Sequence, residues 1–441
     1  RGGKRLEAGQ VVFDPIEYLT SPRWQTMSLG LERTHALLAG LGDPQKRLRF
    51  VHVAGTNGKG STCAFLASVL EQAGYRVGLF TSPAVYSFEE RVRVNGQPIA
   101  YEELASVTEA VKQVAETLEE HPTEFELLTG VAFTHFARSH CDVVVVEVGM
   151  GGRLDSTNVI EAPEVEVITP VSFDHCAFLG DTLAKIAGEK AGIIKPGVPV
   201  VCAPQTPEAE AVIRQVAHER ACPFVQVDLS QEQGSEECFS YRERHDLALG
   251  MRGVFQLENA AIALDALDVL KQCGWTIPEE AIREGLCLAH WPGRFEAVSA
   301  DPLIIFDGGH NLSGISALAA SLERAYPQHY RIIISGVLAD KDYQDMAEVL
   351  VDMADEIIAL TPDNARALAA KDYVEAFRQA HEPRRAHIIV EAPGISAGVA
   401  EALKRYERAR RAQVAPLICV CGSLYLLGSV MEVLRQDGVV L

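Results

Sequence analysis

None of the ten cysteines forms a C-x-x-C pair, and the closest two, Cys419 and Cys421, alternate along an apolar run. Without a paired-cysteine framework, reduced core thiols in a cytoplasmic protein are expected. An excess of positive charge is also missing: 40 Lys and Arg stand against 60 Asp and Glu, for a formal net charge of −20. That balance argues against a nucleic-acid or anionic-membrane surface and requires local cations for any anionic ligand. No signal peptide opens the chain, and Arg1 in place of Met leads us to expect a native start upstream. The longest uncharged stretch, 412–430, is broken by Pro416, Gly422, Ser423, Gly428 and Ser429, so it reads as strand, turn and helix rather than a membrane span. With 441 residues and 48% hydrophobic content, two or three soluble domains are expected.

What the chain does have is a phosphate cradle. Gly55-Thr56-Asn57-Gly58-Lys59-Gly60-Ser61-Thr62 follows the apolar run Phe50-Val51-His52-Val53-Ala54. It precedes Phe65, Leu66, Val69, Leu70 and Ala73 at helical spacing, with Gly74 as the stop. Glycines admit anionic oxygens to the backbone, the helix N-terminus adds partial positive charge, and Lys59 can reach terminal phosphates. The spacing departs from G-x-x-x-x-G-K-[ST], because Val53 stands at the first glycine and Gly60 separates Lys59 from Ser61. A plain Gly/Asn turn is the alternative; strand, lysine and helix in this order favour a nucleoside triphosphate.

Short β-branched runs alternate with helical periodicity. Strands are expected at 77–80, 143–148 and 165–168, with helices at 104–118 and 124–138 between them, which makes a mostly parallel sheet. A second strand–helix series follows, with strands at 303–306, 331–335, 356–360, 386–390 and 417–420. Trp291-Pro292-Gly293-Arg294-Phe295 punctuates the chain after a helical stretch ending near His290, so the expected domains are 1–296 and 297–441. The fold class is α/β: a phosphate-loop domain with helices flanking a mostly parallel sheet, then a smaller Rossmann-like domain. Gln231 to Glu237 reads as a polar surface loop without chemistry.

Several polar residues fall at strand ends, where ligand sites of open α/β sheets gather. Glu147 closes Val143-Val144-Val145-Val146 beside the phosphate loop, a position that favours magnesium over a carboxylate simply reaching water. Asp174-His175 emerges on the same rim, though a lone histidine is usually structural and imidazole is an uncommon magnesium ligand. Ser82 in Thr81-Ser82-Pro83 offers a hydroxyl, or only a turn. Lys190 reads by default as a solvated lysine near a helix end. Asp307-Gly308-Gly309-His310-Asn311 puts an acid, an imidazole and an amide on the second sheet's rim, where a carboxylate could bind a ribose hydroxyl.

Taken in order, these segments resemble the folylpolyglutamate synthase / dihydrofolate synthase family of the Mur ligase superfamily over nearly the whole chain. Further carriers are Leu31-Glu32-Arg33, Leu41-Gly42-Asp43-Pro44, Glu90-Arg91, Gly149 to Asn158, Leu179-Gly180-Asp181-Thr182, Glu189 to Ile193, Pro292-Gly293-Arg294 and Gly422-Ser423-Leu424-Tyr425. The resemblance implies an ATP- and Mg²⁺-dependent amide ligase. It would activate the carboxylate of dihydropteroate or folate as an acyl phosphate, for attack by the amine of L-glutamate. It further implies Ser82, Glu147 and His175 as ligands of two magnesium ions, with Lys190 carbamylated to assist, and Lys59, Glu147, His175 and Lys190 as the catalytic group. Asn259, Arg294 and Asp307 would contact ATP together with Gly55 to Thr62, while Phe125, Leu154, Asp155 and His310 would contact the other substrates. A cytoplasmic monomer acting on both dihydropteroate and folates is expected. Ala84-Val85 departs from the family's His or aromatic, which leaves substrate contacts there open. Another Mur-type ligase of muramyl peptides, a small-molecule kinase and a noncatalytic nucleotide-binding regulator are the alternatives.

Overall fold

The computed structural model describes residues 13–23, 30–174, 176–380 and 385–440. Its largest sheet has eight strands, in the order Gln97–Pro98, Val92–Val94, Val77–Phe80, Val143–Glu147, Phe50–Ala54, Val165–Ile168, Val200–Cys202 and Phe224–Gln226. The six from Val77–Phe80 onward are parallel, and the first two form an antiparallel edge. Helices cover both faces of the central strands, so Phe50–Ala54 and Val143–Glu147 are buried at every residue. That is why they read as near-continuous apolar runs.

The second sheet has the order Glu296–Ala300, Leu303–Phe306, Pro416–Cys421, Tyr330–Ser335, Glu356–Ala359 and Ile388–Glu391. Only its first strand is antiparallel. The stretch expected to be a surface loop is not one. Glu232–Ser235 joins Cys238–Tyr241 and Arg244–Leu247 in a three-stranded antiparallel sheet. Glu236 beside it is buried, accepts from Gly253 N at 3.0 Å and pairs with Arg324 of the second α/β unit at 2.5 Å. Polar composition concealed this strand, because antiparallel sheets tolerate a solvated face.

The two α/β units meet along their carboxyl rims. Asn311 donates to Asn57 Oδ1 at 3.1 Å, Tyr86 Oη to Glu296 Oε2 at 2.6 Å, and Gly308 N to Gly293 O at 2.7 Å. Val85, at the departure from the family pattern, packs with Tyr86 against the second unit's core. Its methyls lie where a Cβ on Gly293 would press.

One buried polar chain fixes the loop that follows Glu147. Thr157 Oγ1 donates to Asp155 Oδ1 at 2.6 Å and accepts from His52 Nε2 at 2.9 Å, while Asp155 Oδ2 accepts from Met150 N at 2.9 Å. Burial, aided by the charge of Lys195, pushes His52 down to about 3, so the ring is neutral and carries its proton on Nε2. A Thr157→Val substitution leaves both His52 and Asp155 short of a buried partner. It is expected to lower stability by about 2 kcal/mol, read as a lower urea midpoint; an unchanged midpoint would show that this chain does not hold the loop.

Candidate active site

Gly55 to Ser61 turns from the strand Phe50–Ala54 into the helix Lys59–Gln72. Two glycines are required here. A Cβ at Gly55 (φ +149°) would lie 1.8 Å from Thr169 Oγ1, and one at Gly58 (φ +83°) would lie 2.3 Å from Asn259 Oδ1. Thr56 N donates to Pro170 O at 2.9 Å, which anchors the turn, and the helix's first N–H groups remain for an anion. Lys59 Nζ lies 3.1 Å from Thr56 O and 3.9 Å from Glu147 Oε1.

Glu147 is 5% exposed at its strand's carboxyl end, and its Oε2 accepts from Ser82 N at 3.1 Å. Burial raises its pKa while Lys59 opposes the rise. Lys190 is not the solvated lysine that its position in sequence led us to expect. The last turn of the helix Leu183–Ala191 is pinned by Arg153 N donating to Glu189 O at 2.8 Å, which leaves Lys190 3% exposed. Its Nζ donates to Gly55 O at 2.7 Å. Burial, then the charge of Lys59, lowers it to about 7, so an amine that water would keep protonated is close to half neutral at physiological pH.

From the second unit, Asp307 is 2% exposed and accepts from Gly309 N at 2.8 Å and Phe295 N at 2.9 Å. Burial raises its pKa, and Arg294 draws it back. His310 Nδ1 donates to Gly308 O at 2.9 Å, and its Nε2 lies 3.7 Å from Asp174 Oδ2. Asp174 Oδ1 meets Lys341 Nζ at 2.5 Å, a link across the cleft with no local signal in the sequence.

These groups surround one cavity of about 280 Å³ between the two units. Residues Gly55 to Ser61, Ser82, Glu147, Lys190, Asn259, Arg294, Asp307 and His310 all line it. Thr62, Phe125, Leu154 and Asp155 do not. Thr62 is buried behind the loop. Phe125 stacks on Phe80 at 5.8 Å between centroids, with its ring against Gly149 of the cavity wall, and Asp155 is occupied with its own loop. His175 lies outside the described residues. Glu258, which sequence reasoning passed over, also faces the cavity.

Residues 53–267 match the Mur ligase middle domain and 293–424 the Mur ligase glutamate ligase domain. A Bacillus subtilis dihydrofolate synthase/folylpolyglutamate synthase is 43% identical over 363 residues, covering 79% of this chain and 84% of that one. An Escherichia coli protein of the same description is 33% identical over 434 residues, covering 96% of each. Among solved structures, E. coli FolC in complex with DHPP and ADP aligns with a TM-score of 0.83 at 30% identity, covering 96% of this chain and 97% of that one. A Mycobacterium tuberculosis folylpolyglutamate synthase complexed with ADP aligns at 0.86 and 30%, covering 95% and 97%. A phosphate loop, a buried carboxylate and two lysine amines facing a second α/β unit across one cleft are thus found in a chain that belongs to the dihydrofolate synthase/folylpolyglutamate synthase family of Mur ligases, enzymes that form C–N bonds.

Proposed function

We propose that this ligase uses ATP to join L-glutamate to dihydropteroate and to tetrahydrofolate polyglutamates through an acyl phosphate. The observation that carries the reading is the convergence of Lys59, Glu147, Ser82 and Lys190 with Arg294, at the junction between the units, and Asp307 of the second unit on a single cavity. The substrate carboxylate attacks the γ-phosphorus and ADP departs. The glutamate amine then attacks the acyl carbon, phosphate leaves and the amine's proton is released. Attack by one anion on another is opposed by charge, so Lys59 and Arg294 act by neutralising and aligning the phosphates. Closure about Pro292-Gly293 shields the acyl phosphate from water.

The donor set suits magnesium. Glu147 and the Ser82 hydroxyl are hard oxygen ligands at the phosphate end, and the ion would complete its shell with phosphate and water oxygens. A magnesium ion held by these residues would supply neutralisation of charge developing on the transferred phosphoryl group. His175 and a carbamylated Lys190 complete the proposed ligand set for two ions. The neutral Lys190 amine would attack CO₂, forming an N–C bond and releasing a proton to leave a carboxylate. Asn259 and Asp307 serve the nucleoside, and His310 the amino-acid side. Phe125 and Leu154 serve the pterin end, on which Asp155 acts through the loop it holds. We assign the nucleotide chemistry to residues 1–296 and the glutamate ligase part to 297–441. The reading includes a cytoplasmic monomer without nucleic-acid or membrane partners. The net charge of −20 disfavours a nucleic-acid partner, and among the described residues no helix is long and apolar enough to cross a membrane.

With Mg·ATP and L-glutamate, ADP release is expected with dihydropteroate and with tetrahydrofolate offered separately, each product heavier by one glutamate in mass spectrometry. Turnover with only one removes the dual specificity, and turnover with neither contradicts the function. Lys190→Ala is expected to cost about 100-fold in ligation rate while ADP still binds by calorimetry; a nearly active variant sinks the carbamate. Because the Lys190 amine loses its proton as pH rises through about 7, wild-type ligation at fixed dissolved CO₂ should climb over that interval. A flat profile there would contradict the role given to its neutral form.

A further inference from the structure

The helix Phe255–Gln272 presents Phe255, Glu258 and Asn259 to the cavity from its first turn, spaced i, i+3 and i+4 on one face. Ser313 and Ala317, from the first turns of Leu312–Ala325 in the second unit, line the same cavity. Asn259 is already engaged, donating to Gln256 Oε1 at 3.0 Å with its Oδ1 beside Gly58. Glu258 differs. No hydrogen bond or ion pair to its carboxyl is found among the described residues, and the charge acting on it is the like charge of Glu232. Partial burial and that repulsion push it up to about 7, which marks a half-enclosed carboxyl given no partner among the described residues.

The direction of the phosphates decides what reaches it. Lys59 points toward Glu147, so the terminal phosphates and the reacting carboxylate occupy that side. Asn259 Oδ1 flanks Gly58 of the phosphate loop, and beyond it on the same helix face Glu258 and Phe255 line the part of the cavity we leave for the nucleoside. Its apolar members, Phe255 and Ala317, suit a flat base better than a sugar.

We propose that Glu258 is a base-recognising residue: its carboxyl oxygen accepts a hydrogen bond from the exocyclic amino group of adenine at the end of the cavity away from the phosphates. This rests on the reading of the cavity as an ATP site. A half-buried acceptor whose donor comes only from the ligand penalises any nucleotide without that donor, because the carboxyl is then left unpaired.

The test is a cycle between residue and nucleotide, with kcat and KM measured for ATP, purine riboside triphosphate (which lacks the amino group), 2′-deoxy-ATP and 3′-deoxy-ATP. Wild-type enzyme should prefer ATP over purine riboside triphosphate by roughly tenfold in kcat/KM, chiefly through KM. Glu258→Ala should bring that ratio close to unity, and Glu258→Gln, which keeps a carbonyl acceptor, should retain most of it. An equal ratio in wild-type and Glu258→Ala overturns the proposal, as does a wild-type enzyme indifferent to the amino group. If Glu258→Ala instead erases discrimination against a deoxy nucleotide, the carboxyl binds ribose and the base assignment is wrong. Failure of wild-type enzyme to turn over ATP at all would strike the site reading beneath it.

Discussion

Two lysine amines share one glycine-rich turn, and the rest of the site depends on how that charge is managed. Lys59 and Lys190 both place Nζ on carbonyls of this turn, at Thr56 and Gly55, with Glu147 as the nearest carboxylate to Lys59. Two cations held this close raise each other's cost of charging. The fold answers by letting Lys190 fall to about 7 and by leaving Lys59 directed at a cavity fit for polyanions. A phosphate group bound in the cleft would offset that positive charge.

The second constraint is geometric. An acyl phosphate survives only if water is kept away, and one α/β unit cannot enclose its own sheet rim. Here the rims of two sheets face each other, tied by Asn57–Asn311, Asp174–Lys341 and Tyr86–Glu296. The segment after Ser82 serves both sides. Its residues Val85 and Tyr86 pack on the second unit while the amide of Ser82 binds Glu147. A movement of one unit would therefore be felt at the carboxylate beside Lys59 and the glycine-rich turn.

Much of this was legible in the sequence where local physics decides the outcome. Strands 165–168 and 303–306 and the helix Glu124–Arg138 lie where they were read, since buried parallel strands carry unbroken apolar runs and the helix opens on a Thr123/Glu126 capping box. The phosphate loop was legible for a similar reason: strand, glycines, lysine and helix are contiguous. Lys190 was not, because its burial comes from packing of 183–191 against the loop at Arg153, far away in sequence. Lys341, Glu258 and the edge strand Glu232–Ser235 also escaped notice. Each takes its meaning from a partner or a cavity that only the tertiary fold supplies. The resemblance to folate ligases singled out Ser82 and Lys190, and both line the cavity.

The central claim is that one carboxylate is phosphorylated in this cleft before glutamate arrives. Ligation with heavy-oxygen label in the substrate carboxylate, followed by mass analysis of the released phosphate, tests it directly. The account predicts one labelled oxygen transferred to phosphate for each amide bond formed; phosphate free of label, with amide still produced, would contradict it.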